Sequence, residues 1–257
     1  MEENSVLTEL RARVQQAMAE KDERFKEEVF QTEPYRNELK YLKKITFDYI
    51  HALQMVAIYS TRAKEIYDEF LTIHVIDELI ESAIGVMSLV ESGIHNMPKR
   101  ELRYLIELVT KYVIIDYALM GDSLDNKKQY LLDEIPKSSI TVIDRYATPF
   151  AARQTEFRNE VKDFFYKACA YVHPSKKQLD EQIRNRRNGH TMGYESTAML
   201  SDINKLIFRA YDMILVMIFH GFGPSMSKDV FEQMLDNDKT WKYHKGKYIP
   251  TFRKDLN

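Results

Sequence analysis

The stretch PKRELRYLIELVTKYVIIDYALM, residues 98–120, decides the fold. Leu102, Leu105, Ile106, Val109, Val113, Ile114 and Tyr117 recur at three- and four-residue steps, the period of an α-helix with a buried face. Pro98 falls in the first turn, where a missing N–H leaves no helical bond unmade. Gly121-Asp122 supplies the stop. The apolar positions run nearly all the way round, so this helix is expected at the centre of a bundle.

The same period extends outward in both directions. Before it, residues 72–91 carry Val75, Ile76, Leu79, Ile80, Ala83, Ile84, Met87 and Val90, and Ser92-Gly93 ends them as a helix C-terminus does. Earlier still, Pro34 opens a long pattern from Leu39 through Tyr59, with a break expected at Ser60-Thr61 and a continuation to Phe70. Residues 5–30 read as a charged amphipathic helix with a narrow stripe of Val6, Leu10, Val14, Ala17 and Met18, suited to a surface or a partner helix. After the central helix, residues 123–150 read as short helices and turns. Helices follow over 150–173, 175–187 and 195–220, the last ended by Gly221-Phe222-Gly223-Pro224. Trp241 to Phe252 alternates aromatic and polar residues and suggests a hairpin or an extended strap. The expected organisation is an N-terminal helical unit over 1–70, a bundle over 72–220 and a C-terminal helix and tail over 221–257.

Composition narrows the class. Only 8 Gly and 7 Pro in 257 residues, with 44% hydrophobic and 30% charged residues, favour an all-α globular chain. The 37 basic and 39 acidic residues leave a net charge of −2, which removes a global argument for nucleic acid and leaves room for a local basic patch. The single cysteine, Cys169, excludes an intrachain disulfide and a multi-cysteine metal site and fits a reducing cytoplasm. The N-terminus has no signal-peptide pattern, and the most apolar stretch, Leu206 to Phe219, is interrupted by Arg209 and Asp212, so no membrane association is expected.

Three constellations bear on chemistry. Arg103 and Glu107 are four apart on the central helix, beside apolar neighbours, where ionised groups need a partner or a task. Lys167 and His173 lie nearly two turns apart at the end of a helix that Pro174 closes. A cation beside an imidazole suits phosphodiester chemistry, the one holding charge and the other moving a proton. Arg184, followed by Asn185, precedes His190 by five intervening residues, within a basic cluster of Lys176, Lys177, Arg186 and Arg187 that suits a phosphate backbone or an acidic protein surface. The ordinary structural roles are a helix-face ion pair, a helix C-cap and a solvated basic helix end. No glycine-rich phosphate loop, His-Glu-x-x-His pair or Cys-x-x-Cys is present.

Residues 72–220 resemble the HEPN superfamily of helical-bundle proteins. The likeness lies in an apolar helix followed by one opening Arg-x-Leu-x-Glu (Arg103, Leu105, Glu107), a later helix ending Tyr-Val-His-Pro-Ser (Tyr171 to Ser175), and a long closing apolar helix. The resemblance implies an HEPN-like core and a metal-independent RNA endonuclease of a bacterial toxin or antiviral-defence system, without cofactor and often dimeric. In that reading His173 or His190 moves the proton, Arg103, Arg184 or Lys167 balances the transition-state charge, and Glu107 orients one of them. The chain departs from the family pattern in holding Lys167 where an Arg is usual and Cys169 where a Ser is common. The alternative expectation is a non-catalytic interaction subunit that docks a protein partner through residues 1–70.

Overall fold

The computed structural model describes residues 2–25, 32–136, 139–145, 150, 153–188 and 196–256, and His190 lies outside them. Among these residues every regular element is helical. The α-helices are α1 Glu2–Phe25, α2 Glu33–Ser60, α3 Lys64–Tyr67, α4 Leu71–His74, α5 Ile76–Glu91, α6 Asn96–Ala118, α7 Leu124–Asp133, α8 Gln154–Cys169, α9 Lys176–Arg187, α10 Thr197–Phe222, α11 Pro224–Gln233 and α12 Ile249–Asp255. No helix among the described residues is long and apolar enough to cross a membrane.

Two helices share the centre. α10 is buried at every position from Ala210 to Phe219, and α6 packs along it with Leu105, Ile106, Val109, Val113 and Ile115. The close approach comes at Gly221, where a Cβ would stand 3.3 Å from a methyl of Val113. α2 lies on the other side of α10, and the rings of Tyr49 and Tyr211 stack with centroids 4.0 Å apart. α5 fills the space between α2 and α6, while α8 covers the remaining side of α6. One hydrophobic core thus runs from Tyr35 in α2 to Phe252 in α12. The expected division at residue 70 does not follow this packing, because α2 is a full member of the core. α1 adds no described side chain to this core, and every one from Thr8 to Glu20 is exposed.

Element ends follow local chemistry where that chemistry suffices. Pro34 begins α2 and Ser60 ends it. Ile94 N–H donates to Leu89 C=O and Gly93 takes φ 72°, the left-handed C-terminal closure of α5. Ser123, Ser175 and Ser196 cap α7, α9 and α10 through their hydroxyls.

Two corrections arise from long-range contacts. The helix expected to begin at residue 72 is broken at Val75 into α4 and α5. The cause is Asp116 of α6, which accepts the backbone N–H groups of Leu71 and Thr72, both at 2.9 Å, and the Thr72 hydroxyl at 2.6 Å. Lys127 of α7 joins the same carboxylate at 3.2 Å and also donates to the Glu69 carbonyl at 2.6 Å. The tail is not a hairpin. Asp212 of α10 accepts the backbone N–H groups of Lys247, Tyr248 and Ile249, which starts α12 and straps it to the core.

Candidate functional site

α6 and α8 bring some of the expected residues together and separate others. Arg103 Nη1 lies 3.0 Å from Glu107 Oε2, and Lys111, one turn further on, places Nζ 2.5 Å from Glu107 Oε1. The Arg103 guanidinium also covers the Phe165 ring at 4.4 Å and donates from Nε to Cys169 Sγ at 3.3 Å. Glu107 is 8% exposed and holds two cations of its own helix, and one of them, Arg103, makes the contacts to Phe165 and Cys169 of α8. Lys111 was missed in the sequence, although its spacing of four from Glu107 was the available signal.

Lys167 does not join them. Phe165 and Cys169 face α6, and the residue midway between them faces away. Lys167 pairs with Asp163 at 2.9 Å and borders a hollow with Lys99, Tyr171 and Arg209. His173 is exposed beyond the last turn of α8, and its side chain makes no hydrogen bond among the described residues. Arg103 and Glu107 thus meet each other, whereas Lys167, on the opposite face of α8, and His173, beyond its last turn, contact neither of them among the described residues.

A second arrangement forms where α8 turns into α9. Arg100 of α6 donates from Nε to the Tyr171 carbonyl and so ties α6 to this corner. Beside it lies a cleft of about 480 Å³ lined by Arg100, Val172, Pro174, Ser175 and Lys176. α9 itself carries Lys176, Lys177, Arg184, Arg186 and Arg187 against Asp180 and Glu181. All five cations are exposed, and none makes an ion pair among the described residues. A broad basin of about 570 Å³ runs over Lys176, Lys177, Asp180 and Arg184.

The inner edge of α9 holds a polar junction that the sequence did not reveal. Glu181 accepts Lys99 Nζ at 2.9 Å and Tyr171 Oη at 2.6 Å, and Lys99 Nζ sits 4.1 Å from the Tyr171 ring centroid. Burial opposes the Glu181 charge, but these bonds and the nearby cations of Lys99 and Arg184 prevail and lower its pKa. Behind the junction is a hollow of about 230 Å³ bordered by His95, Lys99, Arg184, Asn185 and Asp202. His95 Nε2 is buried and has no hydrogen-bond partner among the described residues. Burial and the Lys99 charge pull the imidazole pKa down to about 4, against the opposing pull of Glu181. His95 is thus neutral at pH 7. Its setting was illegible because the residues around it come from three helices.

Among the described residues, no group of three or more His, Cys, Asp or Glu side chains is placed to hold a metal ion. No protein-family model, curated protein or solved structure matches this chain.

Proposed function

We propose that this chain binds RNA on the cationic face of α9 and cleaves it without a metal, as an effector of the toxin or antiviral-defence kind. The observation that carries the reading is the contrast between two sets of cations. Those of α6 are all engaged, Arg103 and Lys111 by Glu107, Lys99 by Glu181 and Arg100 by the Tyr171 carbonyl, whereas α9 presents five in solvent on twelve residues of a chain whose net charge is −2. A polyphosphate backbone is the counter-charge such a face attracts.

His173 stands at the N-terminal end of this face, and Arg100 and Lys176 line the cleft beside it. In the proposed reaction the imidazole takes the proton of a ribose 2′-hydroxyl. The O2′–P bond forms as the P–O5′ bond breaks, leaving a 2′,3′-cyclic phosphate, and the departing 5′ oxygen takes a proton from solvent. Arg100 and Lys176 balance the charge of the phosphorane. Arg103 and Glu107 serve as positioning residues, since Arg103, held by Glu107, contacts Cys169 at the end of the helix that leads to His173.

The test is incubation with end-labelled single-stranded RNA in EDTA. Cleavage is expected in the parent chain and is expected to fall about a hundredfold in His173→Ala. The His190→Ala variant reads out the competing imidazole. Cleavage unaffected by either substitution refutes the mechanism. Binding should weaken with salt at a log–log slope of roughly −3 to −4, about −0.7 for each of five cations on a single strand. A slope near zero refutes the binding face.

A second reading rests on α1, whose Leu10 and Val14 are 57% and 51% exposed on one stripe. This is the pattern of a helix that docks a protein partner or a second copy, and RNA that neither binds nor is cut would favour it.

A further inference from the structure

A buried polar atom with no partner is costly unless something arrives to satisfy it. His95 Nε2 is such an atom, at the head of α6, and it stands beside a hollow that α9 and α10 close. The hollow has two unlike sides. Met199, Ile203 and Leu206 of α10 give an apolar wall, while Asn185 and Arg184 of α9 and Asp202 of α10 give polar edges. The Asn185 amide makes no hydrogen bond among the described residues, so the imidazole and the amide are both uncommitted.

The lining chooses among ligands. A phosphate inside would face the carboxylates of Glu181 and Asp202 as well as the cations of Lys99 and Arg184, and with Lys99 already held by Glu181 the lining offers it no net positive charge. A long aliphatic chain would leave His95 and Asn185 unpaired. A flat, neutral heterocycle with donors and acceptors along one edge matches both sides, its face on the apolar wall and its edge on the polar groups. Carboxylates accept from the amine of cytosine, and an Asn amide pairs with the amine and ring nitrogen of adenine. The volume, about 230 Å³, is below the roughly 300–1,000 Å³ of pockets that take drug-sized molecules, which fits a single ring system.

We infer that the hollow between α6, α9 and α10 is a base pocket, taking one unpaired adenine or cytosine of a single-stranded RNA whose backbone lies on α9. The inference rests on the reading of α9 as the backbone face. Arg184 and Glu181 border both the hollow and the basin over Lys176 and Lys177, so a nucleotide seated in one has its phosphate in the other. Base-paired RNA cannot offer the base, so the pocket selects single strands.

The experiment measures fluorescence anisotropy with labelled single-stranded RNA 12-mers of adenosine, cytidine or uridine and with a duplex of the same length. The variants are Met199→Trp, which blocks the hollow, His95→Phe, which removes the orphan nitrogen, and the double change Arg186→Glu/Arg187→Glu. Circular dichroism melting checks that each folds. The blocked variant is expected to lose roughly tenfold affinity for adenosine and cytidine strands, the scale of about one good base contact, and to keep duplex binding. His95→Phe is expected to lose affinity while melting at or above the parent temperature. The charge reversal is expected to weaken every RNA. If the blocked variant and His95→Phe bind all strands like the parent while the charge reversal weakens them, the pocket is refuted and the backbone face stands. If no RNA binds the parent chain, the backbone face is refuted. Saturation-transfer NMR with adenosine and cytidine 5′-monophosphates then decides the pocket, with a signal that Met199→Trp abolishes supporting it and no signal overturning it.

Discussion

Removing the ammonium of Lys127 tests the account of this core most directly. Lys127 is 0% exposed and Asp116 1% exposed, so neither charge has water as a substitute partner. The Lys127 ammonium lies 3.2 Å from the carboxylate, 2.6 Å from the Glu69 carbonyl and 4.6 Å from the centroid of the Phe70 ring. Lys127→Met preserves most of the volume and leaves Asp116 charged, held only by the Leu71 and Thr72 donors. Breaking a buried pair from one side costs about 3–5 kcal/mol, a large share of the roughly 5–15 kcal/mol that holds a domain folded. Asp116→Asn should cost about as much, because it leaves the ammonium in the core and turns an amide hydrogen towards donors. The double variant has no buried charge and should fall short of the sum by about 2 kcal/mol or more. Urea unfolding followed by circular dichroism measures all four chains. With a slope near 3 kcal/mol per molar, each single change should move the midpoint by roughly 1–2 M. Costs that simply add, or a Lys127→Met cost below about 1 kcal/mol, would refute the claim that the pair is coupled and desolvated.

Other outcomes follow from the same packing. Gly246→Ala would place a Cβ 2.2 Å from Asp212 Oδ1, so the strap should loosen at a cost of about 1–3 kcal/mol, seen as a lower melting temperature and faster proteolysis near residue 247. Glu107→Gln leaves Arg103 and Lys111 without their shared carboxylate and should destabilise the chain by about 3 kcal/mol or more, a loss that urea unfolding reads directly. His95 and His220 are held neutral by burial, each with a pKa of about 4 against 6.5 unfolded. Their contribution is complete above pH 6.5 and is lost as pH falls towards 4, because the unfolded chain takes up protons first. Each histidine should therefore lower stability by about 2 kcal/mol between pH 8 and pH 5, partly offset by Asp212, whose raised pKa of about 6 works the other way, and His220→Phe should shrink the net drop in the urea midpoint by its own share. A flat profile over that range would refute the burial of the two rings.

The long helices were legible because each hides an apolar face whose period sequence alone carries. Their ends were legible where the signal is local, as at Gly93, Ser175 and Gly223-Pro224. The break at Val75 was not, since its cause is a carboxylate some forty residues away in sequence. The tail was misread for the same reason: alternating aromatics look strand-like, and only Asp212, more than thirty residues earlier, makes the turn into α12. The basic character of α9 was plain from composition. The partition of α8 followed from its period once α6 was known to lie along Phe165 and Cys169. His95 gave no signal, because a lone histidine before a helix says nothing about what two other helices bring to it.

Asp212 also imposes an order on synthesis. Residues up to Phe222 leave the ribosome with the material for α2, α5, α6 and α10, yet the carboxylate at the middle of α10 still lacks the three amides of Lys247, Tyr248 and Ile249. Until those residues emerge, water takes the place of the three amides at the Asp212 carboxylate. The strap therefore joins the two ends of the folding reaction: α10 reaches its final hydrogen bonding only when Lys247, Tyr248 and Ile249 have docked on Asp212.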